Sequence, residues 1–137
     1  MNRLIAHYGT DIQFIYMDFP LPHHNLSEEA TAAGHCVYEQ DAMMYWQYHF
    51  TIFEHQEVLT MDHLYAWAEA YGADMDSFAE CVEDPATLAA VERDIEVGKA
   101  SGVYGTPTFF IDDEPVAGVK PYKLLKAKID AALEAKS

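Results

Sequence analysis

Basic residues are the scarcest feature of this 137-residue chain. No lysine or arginine lies between Arg3 and Arg93, while residues 4–92 hold 16 Asp or Glu, and the formal charge is −15. Phosphate backbones and anionic lipid surfaces are held by basic patches, so this composition argues against nucleic acid and anionic membranes as partners. Cysteine is almost as scarce. Cys36 and Cys81 are the two present, too few for a disulfide-dense scaffold, and they form no Cys-x-x-Cys. With 7 Gly and 6 Pro the chain is neither collagen-like nor of low complexity. No apolar run approaches the ~20 residues of a membrane span. Met1 to Gly9 has one basic residue and too short an apolar stretch for a signal peptide. Walker-type and Gly-x-Gly-x-x-Gly loops are missing, so no nucleotide cofactor is indicated.

What remains is enough for one core, since half the residues are apolar and 13% are aromatic. No linker or repeat interrupts the chain, so one domain is expected over 1–137. Asp11 to Phe19, bounded by Gly9 and Pro20, is rich in β-branched and aromatic residues and predicts a buried strand. Ser27, followed by Glu28 and Glu29, predicts the N-cap of a helix to about Gln40. Ala42 to Gln56 predicts a second, with Tyr45, Trp46, His49, Phe50 and Phe53 as one apolar stripe. Thr60 caps a third that ends at Gly72, and Asp74 or Asp76 begins a short fourth. Asp84-Pro85 opens a fifth that runs to about Ser101. The period then changes. Thr108 to Ile111 predicts a strand and Asp112-Asp113-Glu114 a turn. Pro115 to Gly118 predicts an edge strand, because proline cannot donate to a ladder. Lys120 to Lys136 closes the chain as an amphipathic helix with Leu124, Leu125, Ile129 and Leu133 inward.

Few residues are candidates for chemistry. A proline entering a strand, as Pro107 does, removes a ladder donor. Local sequence alone favours an ordinary trans bond there, with cis as the alternative. Cys36 and Cys81 read either as small buried side chains, as a structural disulfide, or as a redox pair. Nothing near them lowers a thiol pKa. Seven histidines (His7, His23, His24, His35, His49, His55, His63) precede residue 64, but none has a zinc-ligand spacing, so no metal is expected.

The run Gly102-Val103-Tyr104-Gly105-Thr106-Pro107-Thr108-Phe109-Phe110-Ile111, with its hairpin and the Lys120-Pro121-Tyr122 helix start, resembles the C-terminal part of DsbA-like thioredoxin-fold proteins. Tyr16 to Pro22 resembles that family's second core strand and its exit. Tyr45-Trp46-Gln47-Tyr48-His49 through Phe53 resembles its inserted helical signature, Phe50 departing from the acid common there. The resemblance covers about Ile12 to Leu133. It implies an α/β thioredoxin-like fold of DsbA type with a helical insertion over about 26–101. It also implies a cis Thr106–Pro107 bond and a substrate-binding role for Thr106 and Pro107 toward cysteine-containing proteins or peptides. For Cys36 and Cys81 it favours the structural disulfide. An extracytoplasmic, periplasmic location would follow the family's habit, although this chain carries no signal.

The same resemblance exposes a gap. Enzymes of this family work through Cys-x-x-Cys at the start of the helix after the first core strand, and Met1 to Tyr8 matches only the last turns of that helix. The sheet is therefore expected to be N-terminally incomplete, without its central strand. Its two neighbours would pair directly, accept a strand from a partner or a swapped homodimer, or leave the chain poorly folded. The favoured expectation is the larger part of a thiol:disulfide oxidoreductase, inactive alone, whose start cuts through a helix. The alternative is a complete, non-catalytic protein that binds a peptide through the Thr106–Pro107 loop and the open sheet.

Overall fold

The computed structural model describes residues 1–137, which divide into two compact units: Met1–Met17 with Lys99–Ser137, and Asp18–Gly98.

The first unit holds α1 (Asn2–Tyr8), a 3-10 turn (Gly9–Asp11), β1 (Thr108–Ile111), β2 (Glu114–Ala117) and α7 (Tyr122–Lys136). Leu4 and Tyr8, one helical turn apart, are buried on α1 and pack with Val116 and Leu125. Ile12, Phe109, Ile111, Tyr122, Ile129 and Leu133 surround that cluster. The α7 stripe thus runs through Tyr122, Leu125, Ile129 and Leu133. Leu124, expected inward, is 40% exposed because it lies off that stripe, about 200° round the helix from Tyr122. The Tyr8 hydroxyl donates to Asp130 Oδ1 (2.7 Å) and lies 3.1 Å from the Lys126 carbonyl, tying α1 to α7. Burial and the Asp130 carboxylate push the Tyr8 phenol up to about 12. Hydrogen bonds from Lys126 and then Tyr8 hold the Asp130 carboxyl below the usual carboxylate range.

The strand expected over 11–19 belongs to no ladder, and the sheet has two antiparallel strands, β1 and β2. The segment does keep the strand's period. Ile12, Phe14 and Tyr16 are half-buried, while Gln13, Ile15 and Met17 are exposed. Residues 12–17 are apolar or aromatic at five of six positions, so this alternation comes from the fold and not from the sequence, and a ladder also needs a neighbour paired in register. The hairpin turn is the two residues Asp112-Asp113, with Asp112 at φ 52, so β2 starts at Glu114 rather than Pro115.

The second unit holds α2 (Ser27–Gln40), α3 (Ala42–Glu54), α4 (Met61–Tyr71), α5 (Met75–Glu83) and most of α6 (Pro85–Ala100). Ser27 is not the N-cap of α2. Leu26 occupies that place with φ 54, and the Ser27 hydroxyl accepts the Leu21 N–H instead (3.1 Å). Buried Ala32, Ala33 and Gly34 let α3 approach, the Tyr45 ring coming 3.5 Å from where a Gly34 Cβ would sit. Tyr48 is fully buried between α3 and α4 and donates to the Leu64 carbonyl (3.0 Å). Helix α3 stops at Glu54, and Gln56–Val58 form a 3-10 turn. Thr60 accepts the His63 N–H (3.1 Å), Asp74 the Ser77 N–H (2.8 Å) and Asp84 the Ala86 N–H (2.8 Å), the cap roles the sequence assigns them. Gly72 closes α4 at φ 96, a left-handed conformation open to glycine.

Candidate functional site

Helix α6 ends at Ala100, and Gly102, at φ 82, turns the chain away from it. Val103 is then buried, and Tyr104 is 95% exposed. The Thr108 hydroxyl donates to the Gly105 carbonyl (2.7 Å), which folds Gly105 to Thr108 into a tight loop. The Thr106–Pro107 bond within it is cis, and both residues are exposed. The Gly118 N–H donates to the Pro107 carbonyl (2.8 Å), extending the β1–β2 pairing by one rung. Pro107 can occupy that rung because its missing N–H is not called on for the observed bond. The loop is thereby held from the strand side while the Thr106 main chain stays at the surface.

No thiol stands beside this loop. Cys36 on α2 and Cys81 on α5 are joined by a disulfide, with Cα atoms 5.8 Å apart, and no cysteine is free. Beside that bridge, Gln40 exchanges two hydrogen bonds with Asp74, its Oε1 accepting the Asp74 N–H (2.8 Å) and its Nε2 donating to the Asp74 carbonyl (3.1 Å). Cys36 meets Cys81 and Gln40 meets Asp74, so the two helices run antiparallel and α5 is clamped at both its ends to the C-terminal part of α2. Nothing in the local sequence marks Gln40 for this role. The Cys81 sulfur lies 3.9 Å from a Glu39 carboxylate oxygen and 3.5 Å from the Thr87 hydroxyl. A carboxylate neighbour disfavours a thiolate, the opposite of what a reactive cysteine needs.

The histidines are scattered. The His23 and His24 rings lie 4.5 Å apart and tilted by 42° in the loop before α2, and His35 pairs with Glu39 (3.2 Å). His55 and His63 both lie against Trp67, each with Nδ1 at 2.9 Å from a main-chain carbonyl. His49 is half-buried among Tyr45, Trp46, Phe50 and Phe53, and burial pulls its pKa down to about 4. No three His, Cys, Asp or Glu side chains converge on one point. No helix is long and apolar enough to cross a membrane.

An exposed Gly-Thr-Pro-Thr loop that enters a β-hairpin backed by a C-terminal helix defines a thioredoxin-type module. The family model described as thioredoxin matches residues 3–131, and the chain belongs to the thioredoxin family. Among curated proteins it is similar to the Na(+)/H(+) antiporter NhaA of Herminiimonas arsenicoxydans, 31% identical over 131 residues. That alignment covers 96% of this chain and 20% of the relative. The Na(+)/H(+) antiporter NhaA 3 of Salinispora tropica is 28% identical over 133 residues, again 96% of this chain and 20% of the relative. The chain spans about a fifth of the length of these curated relatives. No solved structure matches it.

Proposed function

We propose that this chain is a DsbA-like module of a thiol:disulfide oxidoreductase, with Thr106 and Pro107 as the platform across which a cysteine-bearing segment of a protein substrate lies. One observation carries the reading: the Thr106–Pro107 loop is exposed and fixed from behind by the Gly118–Pro107 bond, in a chain of the thioredoxin family. An extended substrate can add its backbone to such a loop in the manner of strand addition. Residues 1–137 supply no attacking thiol, because both cysteines are consumed in the Cys36–Cys81 bridge. Redox turnover therefore belongs to a longer polypeptide that supplies a Cys-x-x-Cys. The named relatives are antiporters of which the chain spans about a fifth, which supports a place for the module within a larger membrane protein.

The deciding experiment is to read the coding DNA upstream of the Met1 codon. An open frame encoding a strand, Cys-x-x-Cys and the start of a helix supports the oxidoreductase reading. A stop codon directly upstream overturns it in favour of a second reading, a non-catalytic binding protein. The absence of Cys-x-x-Cys within the chain is the observation that favours this second reading.

A further inference from the structure

The Cys36–Cys81 bridge, which lies wholly within the Asp18–Gly98 unit, offers its two sulfurs unequally. Cys36 is 1% exposed, on a stretch of α2 where Ala33 and Val37 are buried too. Cys81 on α5 is half-buried. A thiolate arriving from solvent therefore reaches the Cys81 sulfur and not that of Cys36. Its path is negatively charged. One Glu39 carboxylate oxygen lies 3.9 Å from Cys81 Sγ, and the other lies 3.2 Å from His35 Nε2, which holds the carboxylate in place. Glu80, Glu83 and Asp84, all exposed, neighbour Cys81 in the sequence. Residues 18–98 carry 17 Asp or Glu against Arg93 alone, so the charge belongs to this unit itself.

We propose that the bridge is a charge-gated site of thiol exchange, opened through Cys81 and closed by Glu39 to anionic thiols. The attacking thiolate bonds Cys81 Sγ and the bond between the two cysteine sulfurs breaks. The electron pair leaves on Cys36 Sγ, which takes a proton from water. That sulfur departs into an apolar interior, where a thiolate is a poor leaving group. Like charge at Glu39 slows the approach of an anionic thiolate further. With the bridge open, the Gln40–Asp74 clamp keeps α5 beside α2, so Cys36 stays within reach of the mixed disulfide and expels a monothiol. A dithiol instead completes the reduction. Its second thiolate attacks its own sulfur in the mixed disulfide and releases Cys81, so the bridge gains two electrons and the dithiol becomes a cyclic disulfide. Neutral and cationic dithiols are thus the reductants the bridge admits. The inference concerns residues 18–98 and does not rest on the oxidoreductase reading.

The test uses the oxidised full chain at about pH 8, where histidine is ordinarily neutral and leaves the carboxylate charge uncompensated. Bridge opening is timed by acid quench and mass spectrometry with cationic dithiobutylamine, neutral dithiothreitol and anionic dimercaptopropanesulfonate. Each rate is divided by that of the same reagent toward a neutral small-molecule disulfide, which removes differences in thiol acidity. At low salt the cationic reagent should exceed the anionic one about fivefold, with the neutral one between. The ratio should fall about twofold in Glu39→Gln, with an unchanged circular dichroism spectrum, and approach one at high salt. Cysteamine, a cationic monothiol, should be found on Cys81 by peptide mapping after acid quench. Equal normalised rates in the wild-type chain, a ratio that Glu39→Gln leaves unchanged, or an adduct on Cys36 overturns the proposal. No upstream thiol enters the assay, so failure here leaves the oxidoreductase reading standing.

Discussion

Cutting the Cys36–Cys81 bridge is the perturbation with the largest calculable effect. The cysteines are 45 residues apart, so the bridge closes a loop that includes parts of α2 and α5 and all of α3 and α4. In the chain-entropy account, releasing a loop of that length stabilises the unfolded ensemble by roughly 4 kcal/mol. A small domain has about 5–15 kcal/mol in total. Reduction removes the cross-link but leaves both side chains in place, Cys36 buried at 1% exposure and Cys81 against Thr87. It therefore isolates the entropic part from loss of packing. Urea unfolding followed by tryptophan fluorescence, with and without dithiothreitol, should show a midpoint lowered by roughly 2 M. Cys36→Ala with Cys81→Ala should fall slightly further, because the cavity left beside Val37 adds its own cost. A midpoint that reduction leaves unchanged would refute the argument. It would mean that the Gln40–Asp74 clamp and the buried Phe78, Val37 and Leu64 already hold α2 and α5 together in the unfolded ensemble.

Other outcomes are open to direct measurement. Tyr8→Phe removes the bond from α1 to Asp130 and should cost about 1 kcal/mol in urea unfolding. Thr60→Ala removes the cap of α4 and should cost about 1 kcal/mol on the same assay. His49 has a folded pKa of about 4 against an ordinary 6.5, so the unfolded state binds more protons between those values. Its contribution is full above pH 6.5 and is lost as the pH falls toward 4, and His49→Gln should flatten stability across that window. In an insulin-reduction assay the 137-residue chain should show no turnover, and detectable turnover would show that Cys36 and Cys81 cycle.

Helix positions and caps were legible because they are local. Asp84-Pro85, Thr60 and Gly72 act on hydrogen bonds within four residues of themselves, so their chemistry is complete in the sequence. The Thr106–Pro107 loop was legible through its family resemblance rather than from its local chemistry, which favours a trans bond. Ser27 failed as a cap because the Leu21 N–H, six residues away, takes its hydroxyl. The closing helix was placed correctly, yet Leu124 turned outward because which stripe is buried depends on the partner at Leu4 and Tyr8.

By itself the sequence determined the charge, the helices and the hairpin. Those follow from side-chain chemistry and from backbone bonds between near neighbours. Only the tertiary structure decided that residues 12–17 alternate in burial without joining a ladder, and that Gln40 clamps α5. Each depends on groups distant in the chain, and a strand, unlike a helix, satisfies its backbone through a neighbour that the local sequence does not specify.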